Sequence, residues 1–174
     1  GRAQWVEAPG PGPARLPSDV MENGGAKVIA VEADERFAQE IQSWPEAKSG
    51  RLHVILKDAR KVRWEEMLAE LGGTTPAMMI SNLPYNVGTP LLVAWLKSGP
   101  WRGEMALMFQ KEVAERVCAK PNTDQYGRLA VLTHAVTDPH IAFTLPPGAF
   151  RPPPKVDSAV AAGAYTPLRG HDTG

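Results

Sequence analysis

Ser81-Asn82-Leu83-Pro84-Tyr85-Asn86 follows directly on the apolar run Ala77-Met78-Met79-Ile80. The run has the length and bounds of a short buried strand. Pro84 ends it, because proline fixes its own φ and pushes the preceding residue out of helix space. An amide, a proline carbonyl and an aromatic ring are thereby placed together at the carboxyl end of a strand. In an open α/β sheet that edge is where ligands bind. Taken alone, Asn-x-Pro-Tyr is equally a strand ending in a turn, with Tyr85 as packing. The rest of the chain decides between the two.

Upstream, Ala26-Lys27-Val28-Ile29-Ala30-Val31-Glu32 is a β-branched run ending in an acid. A carboxylate at the tip of a second strand can accept both hydroxyls of an adenosine ribose. A helix opens after it, with Asp34 as its N-cap and Phe37, Ile41 and Trp44 on its inner face. In the next strand, Arg51 to Ala59, Leu52, Val54 and Leu56 alternate and Asp58 ends the run. An Asp there can accept from the amino group of an adenine. His53 reads as an exposed strand residue. Trp64, Met67, Leu68 and Leu71 have helical spacing and belong to the core. Downstream, Thr89 to Leu96 predicts a helix with Pro90 in its first turn, and Gly103 to Phe109 a fifth strand. Gln110 to Arg116 is a further helix, on which Glu112 and Arg116 have the spacing to pair. His140 to Leu145 alternates like a strand, Pro146 to Ser158 is a stiff extended arm, and Ser158 to Ala161 suits a last strand.

Strands alternating with helices predict an α/β fold, a mostly parallel doubly wound sheet. The last two strands have no helix between them, so an antiparallel pair is expected at the C-terminal end. At 174 residues the chain is one domain by length, with 43% hydrophobic and 22% charged residues. Lys plus Arg and Asp plus Glu are 19 each, so net charge gives no global argument for nucleic acid and any basic surface is local. The single cysteine, Cys118, excludes an internal disulfide, suits a reducing compartment and reads as a buried structural thiol. There is no run of membrane-span length, no signal-peptide core and no His/Cys cluster with metal-ligand spacing. A cytoplasmic monomer without a metal is expected. The chain opens on Gly1 rather than Met and is read as a fragment.

The chemistry of the Asn82 turn suits one task. An exocyclic amine on a nucleobase is a poor nucleophile because its lone pair is delocalised into the ring. The Asn82 amide oxygen and the Pro84 carbonyl can each accept one of its N–H bonds, aiming the lone pair at an electrophile. Tyr85 can stack on a base taken out of its helix. Asn82-Leu83-Pro84-Tyr85-Asn86-Val87 resembles the corresponding motif of the ribosomal RNA adenine N6-dimethyltransferases, enzymes that use S-adenosylmethionine. Phe109-Gln110-Lys111-Glu112-Val113-Ala114-Glu115-Arg116 and Tyr126-Gly127-Arg128-Leu129 resemble the same family, as does Gly148-Ala149-Phe150-Arg151-Pro152-Pro153-Pro154-Lys155-Val156-Asp157-Ser158.

The resemblance implies a Rossmann-like methyltransferase that modifies adenines of small-subunit ribosomal RNA in the pre-ribosomal particle. Asn82, Pro84, Tyr85 and Phe150 would be catalytic, with Phe150 closing an aromatic sandwich opposite Tyr85. Glu32, Asp58, Ala59 and Asn82 would hold the cofactor, although Lys57 replaces the glycine of the family's Gly-Asp-Ala. Lys111, Arg116, Arg151 and Lys155 are candidate RNA phosphate contacts, and Lys120 stands beside them. Gly10 and Gly12 resemble remnants of the family's Gly-x-Gly-x-Gly loop after Glu7. Pro9-Gly10-Pro11-Gly12-Pro13 departs from that pattern, and both an altered cofactor loop and a proline-rich frayed end remain open. Residues 1–166 would form the catalytic domain and 167–174 a tail, with Tyr165 already frayed. The family's upstream arm and C-terminal helical domain would lie outside the chain. His134 is not assigned a catalytic role, since amine methylation needs no strong base and no neighbour is expected to orient its ring. Two other readings stand: a non-catalytic RNA-binding or ribosome-assembly factor (or inactive fragment) on the same fold, and a DNA adenine methyltransferase. Leu83 and the Phe150 arm argue against the second.

Overall fold

A computed structural model describes residues 4–8, 22, 27–83 and 88–166. Its strands are β1 (Gln4–Ala8), β2 (Lys27–Glu32), β3 (Leu52–Leu56), β4 (Ala77–Asn82), β5 (Arg102–Gln110), β6 (His140–Leu145) and β7 (Ser158–Gly163). The helices are α1 (Glu35–Gln42), α2 (Pro45–Lys48), α3 (Trp64–Glu70), α4 (Gly88–Lys97), α5 (Lys111–Cys118) and α6 (Arg128–Val136). One seven-stranded sheet has the order β3-β2-β1-β4-β5-β7-β6. β1 to β5 pair in parallel, whereas β7 runs antiparallel to both β5 and β6. This is the doubly wound sheet with a C-terminal antiparallel pair that the sequence predicts. Strand order reverses between β1 and β4, so their carboxyl ends flank the crevice where such sheets bind ligands.

The apolar runs are continuous because the sheet is covered on both faces. Val28, Ala30 and Leu52 pack with Ile41, Trp44 and Ala47 on one side. Ile29 and Val31 join the larger core on the other, with Trp64, Leu68, Met79, Leu92, Trp95 and Trp101. Trp64 is its hub, stacked on Trp101 at 5.6 Å and edge-on to Trp95 at 5.9 Å. Its stripe of Met67, Leu68 and Leu71 packs into this core as expected. Trp44 reaches the smaller core from the cap of α2 rather than from α1.

Several expectations are corrected. Leu56 is 51% exposed, because β3 is an edge strand and the alternation fails at its carboxyl end. His53 is half-buried rather than exposed, and burial followed by the nearby Lys27 ammonium lowers its pKa. β6 forms, yet Ile141 and Phe143 stay exposed because β6 is the outermost strand at the other edge. On α5 the ion pair is Lys111 with Glu115 at 4.0 Å, not Glu112 with Arg116. The His134 ring is oriented after all, with Nε2 donating to the Ala119 carbonyl at 3.0 Å, which ties α6 to the end of α5. Tyr165 is ordered. It bridges Thr137 in antiparallel fashion, and the next residue's N–H donates to the Val136 carbonyl at 2.8 Å. Residues 167–174 lie outside the described residues. Cys118 is half-buried, and burial pushes its thiol up to about 11.

Arg102 went unnoticed in the sequence. It opens β5 and is 1% exposed. Its guanidinium donates to the Gly99 carbonyl and, at 2.6 Å, to the Leu96 carbonyl, and lies 4.6 Å from the Tyr165 ring centre. It therefore satisfies the carbonyls around the end of α4 and pins the chain leaving β7. Arg102→Met keeps the stem and removes the donors, leaving buried carbonyls unpaired. It should cost about 1–3 kcal/mol, read as a lower urea midpoint at unchanged m-value.

Candidate functional site

The carboxyl ends of the parallel strands align because the ladder register fixes them. Ala8 pairs with Ser81, Glu32 with Leu56, and Asn82 with Met108. Strands stand about 4.8 Å apart, so the tips of β2 and β4 are about 10 Å apart across β1. Glu32, Asp58 and Asn82 thus share one edge astride the switch point.

Glu32 is 8% exposed, and its Oε1 accepts the Asp34 N–H at 2.9 Å. The N–H of Lys57 donates to the Glu32 carbonyl at 2.9 Å, holding the two strand tips together. Asp34 caps α1 through the Arg36 N–H, the role expected for it. Asp58 stands beyond β3 and caps a short 3-10 turn, Ala59–Lys61. Arg60 grips its carboxylate, with Nη2 2.6 Å from Oδ2 and Nε 3.1 Å from each oxygen. Those side-chain bonds, then the Arg60 backbone N–H, lower the Asp58 pKa to about 2. The Ala59 methyl is buried in the core, so any cofactor contact it makes comes from its backbone.

Asn82 is half-buried as the last residue of β4. Leu83 is 2% exposed, and its N–H continues the ladder to the Met108 carbonyl at 3.1 Å. Pro84 and Tyr85 lie outside the described residues, as do Gly10 and Gly12. Leu83 and Gly88, on either side of Pro84 and Tyr85, are in close contact. A Cβ on Gly88 would stand 3.0 Å from the Leu83 Cβ and 3.6 Å from the Phe109 ring. Gly88 therefore lets α4 start hard against the end of β4. Sequence reasoning missed it, and the signal available was a glycine shortly after the proline.

The arm leaves and re-enters at this same edge. Leu145 pairs with Ser158, Gln110 pairs with Ser158 on β7's other side, and the Lys111 N–H donates to the Asp157 carbonyl at 2.9 Å. Phe150 is half-buried and extended after a 3-10 turn, Pro147–Ala149. Arg116, Lys120, Arg151 and Lys155 are exposed. Lys111 is also exposed, but lines a groove of about 400 Å³ with Gln110, Glu112, Glu115, Val156 and Asp157, where carboxylates surround it. Among the described residues no group of His, Cys, Asp and Glu could hold a metal, and no helix is long and apolar enough to cross a membrane. This set of acceptors, a buried carboxylate and a second acid along a switch-point edge, fits a nucleoside whose hydroxyl and amino groups donate.

A family model described as ribosomal RNA adenine dimethylase matches residues 4–162. The chain is 47% identical over 157 residues to ribosomal RNA small subunit methyltransferase A of Cereibacter sphaeroides, an alignment covering 87% of this chain and 53% of that protein. It thus spans about half the length of the curated relatives it matches. A dimethyladenosine transferase from Plasmodium falciparum superposes with a TM-score of 0.76 at 26% identity, covering 94% of this chain and 56% of the other. The 23S rRNA methyltransferase ErmE superposes at 0.75 with 21% identity, covering 95% and 62%, which speaks for the fold alone.

Two measurements probe this edge. Gly88→Ala forces Leu83 or α4 to move and should cost about 1–3 kcal/mol, seen as a lower melting temperature. In a carboxyl-detected NMR titration Asp58 should titrate at about 2, and Arg60→Ala should raise that midpoint toward the ordinary 3.8. The sign follows: the pair's stabilisation is present above the ordinary carboxyl range and is lost as pH falls toward 2.

Proposed function

Because the chain belongs to the ribosomal RNA adenine dimethylase family, we propose that it is the catalytic core of an enzyme that methylates N6 of adenines in small-subunit ribosomal RNA. The observation that carries this reading is the alignment of Glu32, Asp58 and Asn82 along one sheet edge from which the 146–157 arm also springs. S-adenosylmethionine, when bound, supplies an electrophilic methyl group. Glu32 would accept from its ribose hydroxyls, Asp58 from its adenine amino group, and Ala59 would contribute backbone. Gly10, Gly12 and Asn82 complete that set. The Asn82 side-chain oxygen and the Pro84 carbonyl accept the two N–H bonds of the target amine and localise its lone pair on nitrogen. Tyr85 and Phe150 hold the ring between them. This chemistry asks the protein for positioning rather than for a strong base, which leaves His134 to its structural bond with Ala119.

Arg116, Arg151 and Lys155, exposed on α5 and the arm, would meet RNA phosphate. Lys111 serves that role only by leaving Glu115. The substrate would be the pre-ribosomal small subunit and the enzyme a cytoplasmic monomer, with residues 1–166 as the catalytic unit.

Calorimetric titration with S-adenosylmethionine tests the reading. The chain should bind, and Glu32→Ala should weaken binding roughly 10- to 100-fold by removing a charged acceptor. Asn82→Ala should lower methyl transfer to small-subunit particles at least roughly a hundredfold, well beyond its effect on cofactor affinity. Binding only after Gly-x-Gly-x-Gly is restored across 9–13 would favour the non-catalytic reading instead.

A further inference from the structure

In the function proposed above, Asp58 must accept a hydrogen bond from the cofactor's adenine, yet both of its oxygens are already engaged by Arg60. Oδ1 accepts from the Arg60 backbone N–H at 2.9 Å and from Nε at 3.1 Å. Oδ2 accepts from Nε at 3.1 Å and Nη2 at 2.6 Å. A carboxylate offers about four lone-pair sites, and three N–H groups of Arg60 engage both oxygens, the single Nε–H being shared between them. Glu32, by comparison, is engaged through Oε1 by a backbone N–H.

The contacts on Asp58 are of two kinds. Asp58 caps the 3-10 turn by accepting the backbone N–H of residue 60, a bond that any residue but proline there keeps. The guanidinium is separable: the Arg60 side chain is 58% exposed and can swing into water without disturbing the core. A similar Asp-x-Arg clamp follows β2, where Asp34 accepts from the Arg36 N–H and guanidinium. There the acid is a helix cap with no ligand assigned to it, so the clamp obstructs nothing.

We infer that Arg60 sets the affinity of the cofactor site by competing with the adenine amino group for the Asp58 carboxylate. The inference rests on Asp58 being the adenine acceptor. A neutral amino group makes a weaker bond to a carboxylate than a guanidinium does, so each binding event carries the cost of displacing Arg60. Removing that side chain relieves the cost while the backbone cap keeps Asp58 in place. The sign is opposite to that of a purely structural role, in which loss of the pair loosens the turn and weakens binding.

The experiment is calorimetric titration of the whole chain, Arg60→Ala and Arg60→Lys with adenosine and with S-adenosylhomocysteine, at low and raised salt, with thermal melts alongside. Arg60→Ala should bind both ligands roughly two- to fivefold more tightly, the range of an exposed ion pair, while melting no higher than the parent. Arg60→Lys should fall between. Adenosine carries no charge, so its affinity for the parent chain should rise with salt as the pair is screened, and that for Arg60→Ala should stay flat. If the parent binds and Arg60→Ala binds equally or less tightly, the inference is overturned and the proposed function stands. If neither binds either ligand, the cofactor reading itself falls, and this inference with it.

Discussion

A parallel strand cannot follow its neighbour directly; the chain must cross back over the sheet before the next strand begins. β1 to β5 obey that constraint, so each starts at one edge and ends at the other. The proposed site depends on it. Glu32, Asp58 and Asn82 are distant in sequence, and the shared polarity of their strands assembles them. The register between β4 and β5 then carries the edge onward to Gln110, where α5 begins and the arm ends.

Packing at that edge comes from the residues behind Asn82. Leu83 extends the ladder by one bond and is buried, while Gly88 admits α4 into contact with it and with Phe109. At the opposite end of β5, Arg102 closes the sheet's lower rim by linking the end of α4 to Tyr165. The two devices differ in kind, one a close apolar approach and the other a buried cation shared among carbonyls and a ring.

The architecture was largely legible because its signals were local. Val28 to Val31 and Ala77 to Ile80 are continuous apolar runs, Asp34 is a cap by residue type, and the absence of a helical segment between β6 and β7 announced their antiparallel pairing. What the sequence hid was set by position in the sheet or by distant partners. Leu56 and Phe143 follow strand patterns, but they sit on edge strands with nothing over them. Arg102 reads as a surface charge because its partners are backbone carbonyls and an aromatic ring far along the chain. The Asp58 clamp and the His134 bond likewise depend on where a side chain turns, which spacing does not encode. For Asn82 itself, residue type and strand position were enough to place it on the edge.

The arm from 146 to 157 is bounded by paired residues: Leu145 faces Ser158, and the Asp157 carbonyl is tied to the start of α5. Topologically it is the loop of a hairpin, and loop length enters folding free energy only logarithmically. Its residues can therefore be exchanged, inserted or deleted over evolutionary time with little penalty to the sheet. Frame and arm are thus separable: a change of length inside the arm leaves the pairing at its two ends intact.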